Sequence, residues 1–401
     1  MRVGLDIRPL QTYHRFRGIG VVVAELLKAI ELAPDDRLVL FRYDHEAPER
    51  ELSLPEGLSW EVVSLGRPPR QPLVSAALGT LRPGGRLDVS EHRLDVFVQP
   101  DSANGLPTGA PVVTIAYDLI PLIFASHYQP RMSPAALRRM GAAKVLISEH
   151  LRAYLYRWQL RQLARADRVV AISDATRRDL LRYLPALRPD RVSVAPLAAN
   201  AVYAPTDERT AHAKYGVTKP YLLYTGGVDF RKNVVGLVDA FHELRSTTDC
   251  QLVLVGKDFV TFDASAQRSL RQLLDTSPYA ADILRPGFIP TAELVELYSG
   301  AVAFVFPSLY EGFGLPVLEA MASGCPVVTY RNSSLPEVAG EAALLLEEQD
   351  DLASALHELI SDEARRTRMR SAGLKQAARF SWAGTASRLM SAVKSAAGHA
   401  D

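Results

Sequence analysis

The sequence predicts an α/β protein built from two doubly wound, parallel-sheet domains. Three observations carry this reading. Short aliphatic runs of strand length alternate with helix-length amphipathic segments. The alternation pauses once, around Pro196, Pro205 and Pro220, and then restarts. The chain has 401 residues, and at roughly 100–200 residues per domain two domains are the natural division.

The elements follow in order. Val3–Ile7 is a first strand, then comes a glycine-bearing loop, Arg17-Gly18-Ile19-Gly20, and Val21–Ile30 has helical apolar spacing. Leu38–Tyr43, Asp95–Gln99 and Val112–Tyr117 read as strands, and 133–165 as helix. Arg168–Ile172 is a strand, after which Ser173-Asp174 caps the helix Ala175–Leu184. Arg191–Ala195 closes the first half. The linker is placed at 197–215. Beyond it, Tyr221–Thr225, Gln251–Val255, Ile283–Phe288, Ala301–Phe306, Pro326–Thr329 and Ala342–Leu346 read as strands. Val234–Arg245, Thr291–Gly300 (with Thr291 as cap) and Leu315–Ala322 read as helices. The expected domains are 1–200, 201–379 and a closing segment 380–401.

Composition narrows the function class. The chain is 48% hydrophobic and 23% charged, which are globular proportions. A net charge of +1 argues against a nucleic-acid partner. Cys250 and Cys325 form no CxxC or Cys/His cluster, so neither a disulfide framework nor a zinc site is expected. No run reaches the ~18 apolar residues of a spanning helix, and the N-terminus does not read as a signal peptide. A cytoplasmic protein is the simplest expectation.

Phe306–Thr329 is the segment richest in chemistry. Glu311 and Glu319 flank Gly312 and Gly314, with Glu311 before a helix and Glu319 within it. Such a loop lets backbone N–H groups approach a phosphate or a sugar hydroxyl, and carboxylates accept from hydroxyls. Taken alone, the pair reads more readily as a solvated helix after an ordinary glycine turn. The adjacent Arg231 and Lys232 precede a helix, where the dipole disfavours cations, so an anionic partner is expected there.

The string EGFGLPVLEAMASGCPVV resembles the signature of the family-four retaining glycosyltransferases of the GT-B fold. Other matches run in order along the chain. Tyr224–Val234 resembles the family's basic loop, Gly287-Phe288-Ile289-Pro290 its base-binding turn and Asp118-Leu119-Ile120-Pro121 its sugar-side DLIP stretch. Gly18-Ile19-Gly20 resembles the N-terminal glycine loop, and Phe380-Ser381-Trp382 the start of the last helix. The resemblance implies two Rossmann-like domains facing each other across a cleft, with the last helix returning to the N-terminal domain. It implies transfer of a hexose from a nucleoside diphosphate sugar to a hydroxyl acceptor, with retention and no metal or other cofactor. The DLIP stretch leans towards mannosyl transfer, with GDP-mannose as first donor.

The resemblance also implies roles. Arg231 and Lys232, after Gly226 and Gly227, would sit over the diphosphate, and Glu319 would hold the ribose hydroxyls. Glu311, with the backbone of Gly312, Phe313, Gly314 and Leu315, would touch the hexose, and Ser308 joins this donor set. Phe288 and Pro290 would flank the base. Gly18 and Gly20 would close over the phosphates. Tyr117 and Asp118 stand where many relatives carry His-Asp on the sugar side, and Gly227 stands where relatives often carry arginine. The Tyr117 replacement keeps a second reading open: a nucleotide-sugar-binding relative with epimerase- or phosphorylase-type chemistry, or no turnover.

Two N-terminal features point to the acceptor. His14, Arg15 and Arg17 lie where acceptors enter, and 65–92 reads as a flexible excursion near them. The basic stretch 131–168, interleaved with Tyr154, Tyr156 and Trp158, reads either as a solvated helical face or as a peripheral contact with an anionic membrane.

Overall fold

The computed structural model describes residues 1–12, 18–44, 54–67, 87–101, 106–128, 156, 158, 160–261, 268–348 and 350–398. The chain divides into two compact units. One is Met1–Leu197 with Trp382–Asp401, and the other is Ala198–Ser381.

Among the described residues, the first unit holds a seven-stranded sheet. Its strands are β1 (Arg2–Asp6), β2 (Arg37–Arg42), β3 (Trp60–Ser64), β4 (Val96–Gln99), β5 (Val112–Ala116), β6 (Arg168–Ala171) and β7 (Val192–Val194). Every pairing is parallel, in the order β3-β2-β1-β4-β5-β6-β7. Strands β4 and β5 are buried at every position, which is why they read as unbroken aliphatic runs rather than alternating ones. Edge strand β3 alternates exposed and half-buried residues.

Helix α1 spans Gly18–Ala29 and buries Val22, Val23, Leu26 and Leu27. Gly18 and Gly20 therefore belong to its first turn rather than to the loop expected from the sequence. Helix α2 (Asp174–Tyr183) is capped by Ser173, whose side chain accepts from the Thr176 amide.

The second unit restarts the same alternation. Its strands are β8 (Tyr221–Thr225), β9 (Gln251–Val255), β10 (Ile283–Gly287), β11 (Ala303–Phe306), β12 (Val327–Tyr330) and β13 (Leu344–Leu346). Among the described residues they form a six-stranded parallel sheet, β10-β9-β8-β11-β12-β13. Helices α3 (Val234–Arg245), α4 (Thr291–Gly300), α5 (Leu315–Ala322) and α6 (Glu363–Ala377) are the ones that bear on the site. The N-cap of α4 is Pro290, not Thr291, and no side chain caps it. The stretch read as linker holds a helix of its own, Thr210–Tyr215, fastened where buried Glu296 accepts from Thr210 and from the Ala211 amide.

Helix α7 (Trp382–Ala396) packs on α1 and on β4 to β7 of the first unit, burying Leu389, Met390 and Val393. Thr385 donates to the Pro196 carbonyl at 2.6 Å, and Arg168 donates to Ser395 Oγ at 2.8 Å. Among the described residues no helix is long and apolar enough to cross a membrane.

Strand order sets where each sheet can bind. In the second unit the chain runs from β8 outward to β10, then crosses back so that β11 lies on the other side of β8. The loops after β8 and β11 therefore diverge and leave a crevice at the carboxyl ends of the strands. In the first unit the equivalent reversal falls between β1 and β4.

The loop after β8 is fixed by close packing. A Cβ at Gly256 would stand 2.1 Å from the Gly226 carbonyl oxygen. Gly256→Ala is expected to cost about 1–3 kcal/mol through forced backbone movement. Urea denaturation would show it as a lowered midpoint, and an unchanged midpoint would mean the loop gives way freely.

Candidate functional site

The centre of the second unit's crevice is a charge cluster. Phe230–Lys232 forms a single 3-10 turn after β8, capped by Asp229, whose side chain accepts from the Arg231 amide. This turn places Arg231 and Lys232 together. Lys232 Nζ lies 2.6 Å from Glu311 Oε1, and Arg231 Nη1 lies 3.2 Å from the same oxygen. Arg231 Nη1 also donates to the Tyr310 carbonyl at 2.9 Å. Lys232 Nζ sits 4.6 Å from the centroid of Phe306, at the end of β11. All three charged side chains are largely buried.

Ser308 is fully buried, and its hydroxyl donates to Glu311 Oε1 at 2.5 Å. It therefore acts on Glu311 rather than presenting its own side chain. The Glu311 backbone is held as well: its amide donates to Ser333 Oγ, and its carbonyl accepts from Ser334 Oγ. Ser333 adopts a left-handed conformation, φ 47°, and Asn332 Nδ2 donates to the Ser308 carbonyl. This Asn332-Ser333-Ser334 run after β12 was not singled out in the sequence. Its signal was only a polar triplet following a buried strand.

The charges set the protonation states. Lys232 and Arg231 hold the Glu311 carboxyl below its ordinary range in spite of burial. Burial draws the Lys232 ammonium downward, opposed by Glu311. Among the described residues the hydrogen bonds to this carboxylate fall on Oε1.

Glu319 lies on α5, whose N-cap is Gly314 at φ 104°. Burial raises its carboxyl to about 7, and a hydrogen bond from Tyr203 opposes that rise. Tyr203 is a second site residue that sequence reading passed over. The Gly312–Leu315 turn leads into α5, but Phe313 itself is buried and packs edge-on against Phe380, ring centroids 5.9 Å apart. Of Phe313, only the backbone suits a donor. Gly226 has φ 144°, and the Gly227 carbonyl accepts from Tyr224 at 2.7 Å. Phe288 lies just beyond β10 and is 84% exposed. Pro290 is exposed as well.

The remaining expected residues belong to the first unit. Asp118 Oδ1 accepts from the Ile120 amide at 3.0 Å, at the start of the short helix Ile120–Ile123, whose N-cap is Leu119. The Tyr117 carbonyl accepts from Thr176. Its phenol is buried, without a hydrogen-bond partner among the described residues. Burial and Asp101 keep that phenol protonated far beyond neutral pH. Gly18 and Gly20, in the first turn of α1, lie at an end where helix amides are unpaired by the helix itself. His14, Arg15 and Arg17, most of 131–168 and residues 68–86 of the excursion lie outside the described residues. Among the described residues no group of His, Cys, Asp and Glu has the arrangement of a metal site.

This fold defines an architecture that solved structures share. Two doubly wound units and a final helix that returns to the first are the GT-B architecture. A solved sucrose-phosphate synthase from Thermosynechococcus elongatus shares the fold over 100% of both chains, with TM-score 0.69 and 20% identity. The Anabaena protein HepE, solved in complex with UDP, matches with TM-score 0.64 and 16% identity, over 98% of this chain and 99% of that one. Residues 207–376 match the family described as glycosyl transferases group 1. The chain is also similar to an Escherichia coli protein, O-antigen chain mannosyltransferase B, at 34% identity over 237 residues, 57% of this chain. It spans 61% of that relative's length.

Removing the Glu311 charge leaves Asp229 alone to balance Arg231 and Lys232, and takes the paired carboxylate from Lys232. Glu311→Gln is therefore expected to cost about 3–5 kcal/mol. Chemical denaturation at neutral pH checks this. A loss within error of zero would show that solvent, not Glu311, balances Arg231 and Lys232.

Proposed function

We propose that the protein is a glycosyltransferase that moves a hexose, with GDP-mannose as first candidate donor, to a hydroxyl of a glycan, lipid-linked or small-molecule acceptor. The observation that carries this is the Arg231–Lys232–Glu311 cluster at the strand-order reversal of the second sheet. The group 1 match and the mannosyltransferase relative support it.

The chemistry follows from the charges. Glu311 and Asp229 balance Arg231 and Lys232, so two buried cations are preorganised without a bound anion. Lys232 has three donors, and Glu311 takes one. The others, with the Arg231 guanidinium, suit a diphosphate. As the bond between the anomeric carbon and the phosphate oxygen breaks, negative charge grows on the leaving oxygen. Fixed cations there lower the barrier.

The acceptor hydroxyl attacks the same face, forming the new glycosidic bond with retention. Its proton passes to the departing phosphate oxygen. Glu311 Oε2 accepts from a sugar hydroxyl and Glu319 from the ribose. Holding donor and acceptor in register supplies much of the rate enhancement. Charge neutralisation by Arg231 and Lys232 leaves no step that needs a metal.

Incubation with GDP-, UDP-, ADP- and TDP-sugars tests the reading. A stabilising donor raises the melting temperature by mass action, and product analysis identifies the transferred sugar. Lys232→Ala and Glu319→Ala are each expected to lower kcat/KM at least about tenfold, about 1.4 kcal/mol of transition-state binding. Near-normal kinetics in both would overturn the assignment. Turnover in EDTA should equal turnover in magnesium; loss in EDTA with rescue by magnesium would remove the metal-independent mechanism.

A further inference from the structure

The polypeptide that enters the second unit is more than a connection. Asn200 starts a turn, its side-chain oxygen accepting from the Val202 amide and its carbonyl from the Tyr203 amide, both at 3.0 Å. The Thr206 amide donates to Ser299 Oγ at 3.1 Å, and Ser299 in turn donates to the Ser323 carbonyl just past α5. The Pro205 ring packs 3.3 Å from where a Cβ would stand on Gly324. Residues 200–206 thus form a strap fastened to the ends of α4 and α5, and between the fastenings Tyr203 reaches Glu319.

Tyr203 is itself supported. Its ring meets Tyr298 edge-on, centroids 6.2 Å apart. The Tyr298 hydroxyl lies 3.0 Å from Thr225 Oγ1, at the end of β8 immediately before Gly226. Half-buried Tyr203 and buried Tyr298 therefore join the acid on α5 to the glycine loop after β8.

We propose that Tyr203 is a positioning residue: its hydroxyl occupies one lone pair of the Glu319 carboxylate and fixes the group so that the remaining lone pairs accept from the vicinal hydroxyls of a ribose. This rests on the donor reading above and adds a residue and a ligand group to it. A carboxylate has about four acceptor positions, so one internal donor leaves room for a diol. The hydrogen bond also favours the ionised form, which burial opposes. Other groups around α5 act elsewhere. The Glu319 charge acts on the Tyr298 phenol, with no hydrogen bond between them, Glu296 of α4 is engaged by Thr210 and Ala211, and Arg370 of α6 acts on Cys325.

Calorimetric titration of the full chain with GDP, UDP and their 2′-deoxy forms, at several pH values from 6 to 8, tests this. For the wild type, ribonucleotide affinity should hold above about pH 7 and fall below it, as the carboxylate is protonated. The deoxy forms should bind about tenfold more weakly. Tyr203→Phe, which keeps the ring packing, should shift the pH midpoint upward and shrink the ribo/deoxy ratio. Glu319→Gln should remove both the pH dependence and the ratio. If Glu319→Gln behaves so while Tyr203→Phe matches the wild type, the positioning role is overturned and the donor reading stands. If no nucleotide binds the wild type, or Glu319→Gln binds unchanged, the donor reading at this residue falls and takes the proposal with it.

Discussion

Two cations and a carboxylate, all shielded from water, share one oxygen atom of Glu311. Placing them there is unfavourable unless each charge is matched, because desolvation of an isolated ion costs more than a single contact returns. Much of the second unit's local structure answers that demand. The 3-10 turn at Phe230–Lys232 delivers both cations from one side. Ser308 and the Asn332–Ser334 run fix the carboxylate from the other. With Asp229 paired to Arg231, the result is a site that is charged and neutral in sum at once. On the function proposed above, an arriving anion would meet donors already aligned and need not reorganise them.

The fold was legible where burial is two-sided. Tyr221–Thr225 and Gln251–Val255 are buried at every position, so their sequences are continuous runs with abrupt ends. Trp60–Ser64 was missed because an edge strand half in solvent has no such run. Helix Glu363–Ala377 was missed for a related reason: only Gly373 and Gln376 are buried on it, so it lacks an apolar stripe. The helix Thr210–Tyr215 was hidden by prolines on both sides. The tertiary contact that stabilises it, Glu296, is distant in sequence.

The site was legible only in part. Arg231, Lys232 and Glu311 were read as donor-facing side chains, and the structure brings the three together. Pairing between loops far apart in the chain is invisible to spacing, so their mutual neutralisation could not be read in advance. Ser308 was expected to meet the donor, yet its hydroxyl is engaged within the protein; Phe313 was expected to serve through its backbone, and its ring packs on Phe380. Tyr203 carried no signal: it is one aromatic in a polar, proline-bearing stretch, and its meaning comes from Glu319.

The return of the final helix to the first unit has a consequence for biosynthesis. The second unit is, in effect, an insertion between the body of the first and its last piece. Leu389, Met390 and Val393 are buried in the first unit, so that unit reaches the ribosome's exit nearly whole and must wait, with an apolar seam uncovered, while the second is translated. At about 5–20 residues per second, the roughly 200 residues of delay amount to some ten seconds or more. Chaperone dependence during synthesis should therefore fall on the half that is made first.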